Sequence, residues 1–187
     1  MHTITYTVTA ISPLLMSNPA GMLSRPAKAG VTVKQIPSPE EEAASRVYRL
    51  PSGQLYGPAQ GLHAGVILAS AGRRIGKVSA KTVLQGALFV LDLEVPLVRA
   101  KTGKPIMQYD EIHLGRCVVQ QQGVLRARPL VKDWAGTVRF EFYPDFLKPE
   151  WITEMFMLAG RTKGWLDWRP GLRGPFGRYS VKLVEHD

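Results

Sequence analysis

Thr3-Ile4-Thr5-Tyr6-Thr7-Val8-Thr9-Ala10-Ile11 alternates threonine with apolar side chains along its whole length. A period of two places Ile4, Tyr6, Val8 and Ala10 on one face and the threonines on the other, which is the pattern of a strand with one side buried. A strand is therefore expected over 3–11, in a sheet that packs one face on the core and leaves the other polar.

Beyond this strand the text turns to Pro, Gly, Ser, Ala and Lys from Ser12 to Pro37, a length unusual for an idle connection. Ser38-Pro39-Glu40-Glu41 then supplies a capping serine, a proline at the first helical position and a Ser-x-x-Glu box, so a short helix should run to about Arg49. Leu62, Val66 and Ala69 share one side of a second expected helix over 58–71, where Gly61 and Gly65 allow close packing and Gly72 closes it. Residues 87–98 read as a central strand, apolar on both faces at first and alternating later. Lys101-Thr102-Gly103-Lys104 and Gln120-Gln121-Gln122-Gly123 look like turns, which makes 105–128 a β-hairpin. Val138, Phe140 and Phe142 mark a strand over 137–142. Ile152, Met155, Phe156 and Ala159 mark a helix over 149–159, and Tyr179, Val181 and Leu183 a last strand. Without its excursions the order is βαββαβ. That predicts one α+β domain over 1–187 with a ferredoxin-like or RRM-like antiparallel sheet, interrupted by insertions at about 12–57 and 99–132.

The 187 residues are 45% hydrophobic and 21% charged, enough to bury a core. The best apolar run, Ala87 to Leu91, is far short of the roughly 20 residues a spanning helix needs. With no basic leader before an apolar block, the cytoplasm is the expected location. The lone Cys117 excludes an internal disulfide framework and any cysteine-rich zinc cage. Lys and Arg number 24 against 15 acids, a formal charge of +9, which favours an anionic partner, nucleic acid first. The charge is patched. Arg25, Lys28 and Lys34 lie in the first excursion without an acid, and Arg73, Arg74, Lys77 and Lys81 follow the second helix. Phosphate contact and a solvated, dipole-favoured face are both open readings for the latter group.

The densest patch joins the last helix to the last strand, Gly164-Trp165-Leu166-Asp167-Trp168-Arg169-Pro170-Gly171-Leu172-Arg173-Gly174-Pro175-Phe176-Gly177-Arg178-Tyr179. Gly171, Gly174 and Gly177 let backbone come close to a phosphate and offer it N–H groups, while Arg169, Arg173 and Arg178 add charge. Trp168 and Phe176 offer flat faces for unstacked bases. Trp165 and Tyr179 read as core. The competing reading is a turn whose aromatics seal the core and whose arginines pair with Asp167.

A basic, glycine-rich loop between the second helix and fourth strand of such a domain resembles the signature of the RAMP superfamily, the RNA-binding subunits of CRISPR effector complexes. Backbone-forming members are similar too in carrying a long excursion after the first strand and an inserted hairpin, as 12–57 and 105–128 do here. The tail Arg169-Pro170-x-x-x-Gly174-Pro175-Phe176-Gly177-Arg178 also resembles that of small phage-borne proteins. The resemblance implies guide or single-strand binding along a groove, with copies of the chain or related effector subunits side by side.

Signals for chemistry are sparse. Asp110, His113 and Cys117 would share a helical face, but their segment reads as a hairpin strand, so no metal site is expected there. No cofactor motif is present. The expectation is a non-catalytic binder of single-stranded nucleic acid, RNA ahead of DNA, that multimerises along the strand and needs no membrane. Two alternatives remain: an RNA-processing endoribonuclease using His63 or His113 with a lysine, and a phage structural or interaction protein.

Overall fold

The computed structural model of the chain describes residues 1–23, 37–119 and 121–186. In chain order the elements begin with β1 (His2–Ala10), β2 (Leu14–Leu15), α1 (Ala20–Leu23), α2 (Pro39–Ser45), β3 (Tyr56–Pro58) and α3 (Gln60–Ala69). They continue with β4 (Arg74–Ile75), β5 (Val78–Ser79), α4 (Ala80–Ala87), β6 (Leu88–Val90) and β7 (Glu94–Pro96). The hairpin β8 (Glu111–Val119) and β9 (Gln122–Val131) follows, then β10 (Ala135–Phe142), α5 (Pro149–Thr162) and β11 (Tyr179–His186).

The alternation in β1 sets the main sheet, an antiparallel array in the order β11-β1-β10-β6. Ile4, Tyr6 and Val8 are fully buried, opposite Phe140, Val138 and Gly136 of β10. Helices α3 and α5 pack against each other and supply the cover: the Tyr6 ring meets Phe156 of α5 edge-on at 5.1 Å, and its hydroxyl lies 2.8 Å from Thr153 Oγ1. One continuous core runs from Ile4 through Leu62, Val66, Met155 and Phe156 to Trp165 and Tyr179.

Two readings of the sequence need correction here. The stretch 87–98 is not one central strand. It breaks into β6, at the edge of the main sheet, and β7, which pairs with β3 instead. Asp92 lies at the break; its carboxylate accepts the Arg139 backbone N–H at 2.7 Å and the Arg139 guanidinium at 2.7 Å, taking up the N–H that a longer β6 would have bonded. Before it, Ala80, Leu84 and Ala87 bury one side of α4, a helix not among the expected elements. The helix opened by Ser38 has the expected capping box, with Ser38 Oγ accepting from Glu41 N–H and Glu41 bonding back, but it ends at Ser45 rather than Arg49.

The two excursions pack on each other. β2 adds to β9 through Leu14 opposite Val131 and Leu15 opposite Leu130, and α2 lies along β9. Leu14, Leu15 and Met16 are fully buried, so this part of the first excursion folds back onto its own chain. Arg25, Lys28 and Lys34 lie outside the described residues. Among the described residues no helix is long and apolar enough to cross a membrane.

Candidate nucleic-acid interface

The glycine-rich loop begins where α5 ends, and remote backbone pins it. Trp165 N–H donates to Gly177 O at 2.8 Å, Gly177 N–H to Pro13 O at 2.7 Å and Asp167 N–H to Leu15 O at 3.0 Å. The carbonyl of Arg178 accepts from Ile11 and Ser12, and its N–H donates to Ser12 Oγ at 2.9 Å. The fully buried Trp165 anchors the loop: its indole N–H donates to Pro58 O at 3.1 Å, and its ring lies 5.5 Å from that of Trp134. Tyr179 is buried as expected, and desolvation pushes its hydroxyl well above the ordinary tyrosine range.

This stitching corrects the expected role of the glycines. Their N–H groups do not face a ligand: Gly171 donates to Lys163 O at 3.0 Å, Gly174 to Arg169 O at 3.0 Å and Gly177 to Pro13 O. The glycines serve close approach within the loop instead. A Cβ on Gly174 would lie 1.8 Å from Trp168 O, and one on Gly177 1.9 Å from Trp165 O. These three N–H groups are therefore already engaged by the loop's own fold.

Trp168 and Phe176 are half-buried and converge with His113 of β8, with ring centroids 5.4 Å from His113 to Trp168, 5.1 Å from His113 to Phe176 and 5.8 Å between the two aromatics. Arg128 Nε of β9 sits 2.6 Å from Asp167 Oδ2, an ion pair whose angle falls short of a hydrogen bond. Hairpin and loop are thus joined by an aromatic trio and a charge pair. Asp167 is thereby taken by Arg128 and not by an arginine of its own loop. Sequence reasoning missed the trio; its one sequence signal is His113-x-Gly115, since a Cβ at Gly115 would press 3.3 Å from the Trp168 ring.

The cations divide into engaged and free. Arg169 is half-buried, its Nη1 donating to Leu166 O at 2.8 Å, and it lines a cleft of about 300 Å³ with Tyr48, Gly61, Asp167 and Leu172. Arg173 and Arg178 are exposed and, with Arg161 and Lys163, have no ion pair among the described residues. Among the described residues four non-glycine residues have positive φ, and three of them are here: Leu166 (61°), Trp168 (43°) and Arg173 (62°). Such strain persists only where surroundings over-determine it, and it gathers at functional sites.

The second cluster is not part of this surface. Gly61, in the first turn of α3, lies against Trp165 just past the end of α5, whereas Arg73 pairs with Glu154 at 2.8 Å and Arg74 lines a groove with Trp151 at its start. About 20 Å of helix separates the two ends of α5. Arg74, Lys77 and Lys81 are exposed on the β4–β5 hairpin and α4. The open face of the main sheet offers no stacking platform on its central strands: the β1 positions are Thr3, Thr5, Thr7 and Thr9, beside Thr137, Arg139 and Glu141. Sheets that read single strands stack bases on aromatics at such positions.

Among the described residues no three His, Cys, Asp or Glu side chains converge as metal ligands. His63 Nε2 lies 2.8 Å from Leu88 O, and His113 Nδ1 is buried without a partner. Comparison with protein-family models gave no match, and comparison with curated proteins gave none either.

Proposed function

We propose that the chain is a ferredoxin-like domain similar to those of the RAMP superfamily, with 12–57 and 99–132 as insertions. In this reading it binds single-stranded nucleic acid, RNA ahead of DNA, along the junction of glycine-rich loop and hairpin, without cutting it. The strand order β11-β1-β10-β6 supports the fold, since it sets the fourth, first, third and second strands of a βαββαβ plan side by side. One observation carries the function: a loop pinned by remote backbone projects Arg173 and Arg178 without an ion pair among the described residues, in a strained backbone. The exposed Leu114 and Leu125 on the outer face of the hairpin support side-by-side assembly of copies along the strand.

Equilibrium binding of a labelled single strand across a salt series tests this. Each phosphate contact contributes about 0.7 to the slope of log K against log salt for single strands. The double variant Arg173→Ala/Arg178→Ala should therefore flatten the slope by about 1.4, with labelled RNA remaining full-length throughout. Affinity that does not change with salt would sink the reading. Cleavage that His63→Ala or His113→Ala abolishes, with binding kept, would favour a ribonuclease.

A further inference from the structure

At the far end of α5 from the glycine-rich loop, three aromatic rings stand out of the fold in a row. Phe89 on the edge strand β6 is 39% exposed, Tyr143 at the end of β10 is 37% exposed and Phe146 is 61% exposed. Their ring centroids follow at 6.1 Å, with planes at 85°, and then at 6.5 Å, with planes at 88°. The backbone beneath them is fixed. Tyr143 N–H donates to Ala87 O at 3.0 Å, and the N–H groups of Phe146 and Leu147 both donate to Tyr143 O. An ordered backbone under the rings lowers the freedom lost when a ligand is bound.

Phe146 also forms one wall of a groove of about 340 Å³, with Arg74, Lys148, Trp151 and one acid, Asp145. Arg74, Lys148 and the neighbouring Lys77 have no ion pair among the described residues. The chemistry of the occupant follows from this combination. An apolar protein surface would bury the rings but leave cations desolvated and unpaired, which is unfavourable. A ligand that is flat and apolar in part and anionic at regular intervals satisfies both, and single-stranded nucleic acid has that composition.

We propose that Phe89, Tyr143 and Phe146, with Arg74 and Lys148, form a second contact surface for the same single strand, the bases resting on the rings and the phosphates meeting the cations. The proposal rests on the reading given above for the loop. It also gives the basic segment Arg73–Lys81 a place in binding that its distance from the loop otherwise denies it.

A strand of about 16 nucleotides, long enough to reach both ends of the helix layer, tests it with the full chain. With 4-thiouridine in the strand, irradiation should leave adducts on the peptide carrying Tyr143 and Phe146 as well as on the loop. Phe146→Ala should weaken binding about tenfold, the effect of losing one stacked base, and Phe146→Trp should retain it. Adducts confined to the loop together with unchanged affinity for Phe146→Ala would overturn the proposal. So would a change in the sedimentation of free Phe146→Ala protein with no change in affinity, which would make the row of rings a self-association surface. Absence of binding by the unaltered protein at low salt would instead be the failure of the loop reading, and this proposal would fall with it.

Discussion

Glu42→Ala should destabilise the protein by about 3–5 kcal/mol, the range for breaking a buried charge pair from one side. Glu42 is 7% exposed and its carboxylate accepts from Ala127 N–H at 3.0 Å, Arg126 Nη1 at 3.1 Å and Arg46 Nη2 at 3.0 Å. Arg46 is itself 6% exposed, and besides Glu42 its guanidinium has, among the described residues, Ser17 Oγ at 2.8 Å from Nη1. Without the carboxylate, a guanidinium stays buried beside one hydroxyl, and the N–H of Ala127 on β9 loses its acceptor. The first insertion then loses its polar hold on the hairpin. Urea denaturation measures the loss as a lower midpoint; a shift equivalent to less than about 1 kcal/mol would show that packing alone holds α2 to β9.

The same network has a pH signature. Burial pushes the Glu42 carboxyl up, but the Ala127 N–H, Arg126 and Arg46 together outweigh it and hold the group below its ordinary value. A folded-state value below the unfolded one means that the unfolded chain binds more protons in between. The stabilisation is therefore complete above the ordinary carboxylate range and is lost as pH falls through the folded value. Asp110, held down chiefly by its hydrogen bond to Arg99, adds to the same acid-side loss. Glu42→Ala should accordingly show a shallower fall in stability on acidification than the unaltered protein.

How much of this was legible in the sequence depended on how local each cause is. The period of β1, the capping box at Ser38 and the apolar face of α5 act over a few residues, and each produced the element expected. The break at 91–93 was invisible because its cause is remote: Asp92 answers to Arg139, 47 positions away, and Leu93 is left 70% exposed. Ala80, Leu84 and Ala87 stand at helical spacing in the sequence, but a basic segment ending at Lys81 and a strand drawn from 87 leave the stretch between them without an element. The loop shows the same division. Its composition marks it as a candidate site, yet the Gly177 N–H is taken by Pro13 O, near the other end of the chain, and no local pattern reveals such a partner. The exposed row of Phe89, Tyr143 and Phe146 has no local signal, because one ring stands on the edge strand β6 and the other two in the turn after β10, and only the fold brings them together.

Two substitutions four residues apart should separate the architecture of the loop from its charge. Gly177→Ala keeps every cation, but its φ of +67° disfavours an L side chain by about 1–2 kcal/mol. The new Cβ would also lie 1.9 Å from Trp165 O and 3.1 Å from Trp165 N, backbone atoms that cannot swing aside as a side chain would. Overpacking of this kind adds about 1–3 kcal/mol. The melting temperature should fall by about 10 °C for a chain of this size, and strand binding should weaken although no charge has changed. Arg173→Gly does the reverse. Arg173 occupies a left-handed position at φ 62°, so glycine relieves strain there, and the relief offsets the roughly 0.4–1 kcal/mol that glycine's unfolded-state freedom costs. Stability should stay within about 1 kcal/mol of the unaltered protein while the salt slope drops by about 0.7. Calorimetry and salt-dependent binding on both variants decide the matter. If Gly177→Ala melts early but binds as before, the strand does not lie on this loop, since no phosphate contact made by Arg173 and Arg178 can survive displacement of the backbone that carries them.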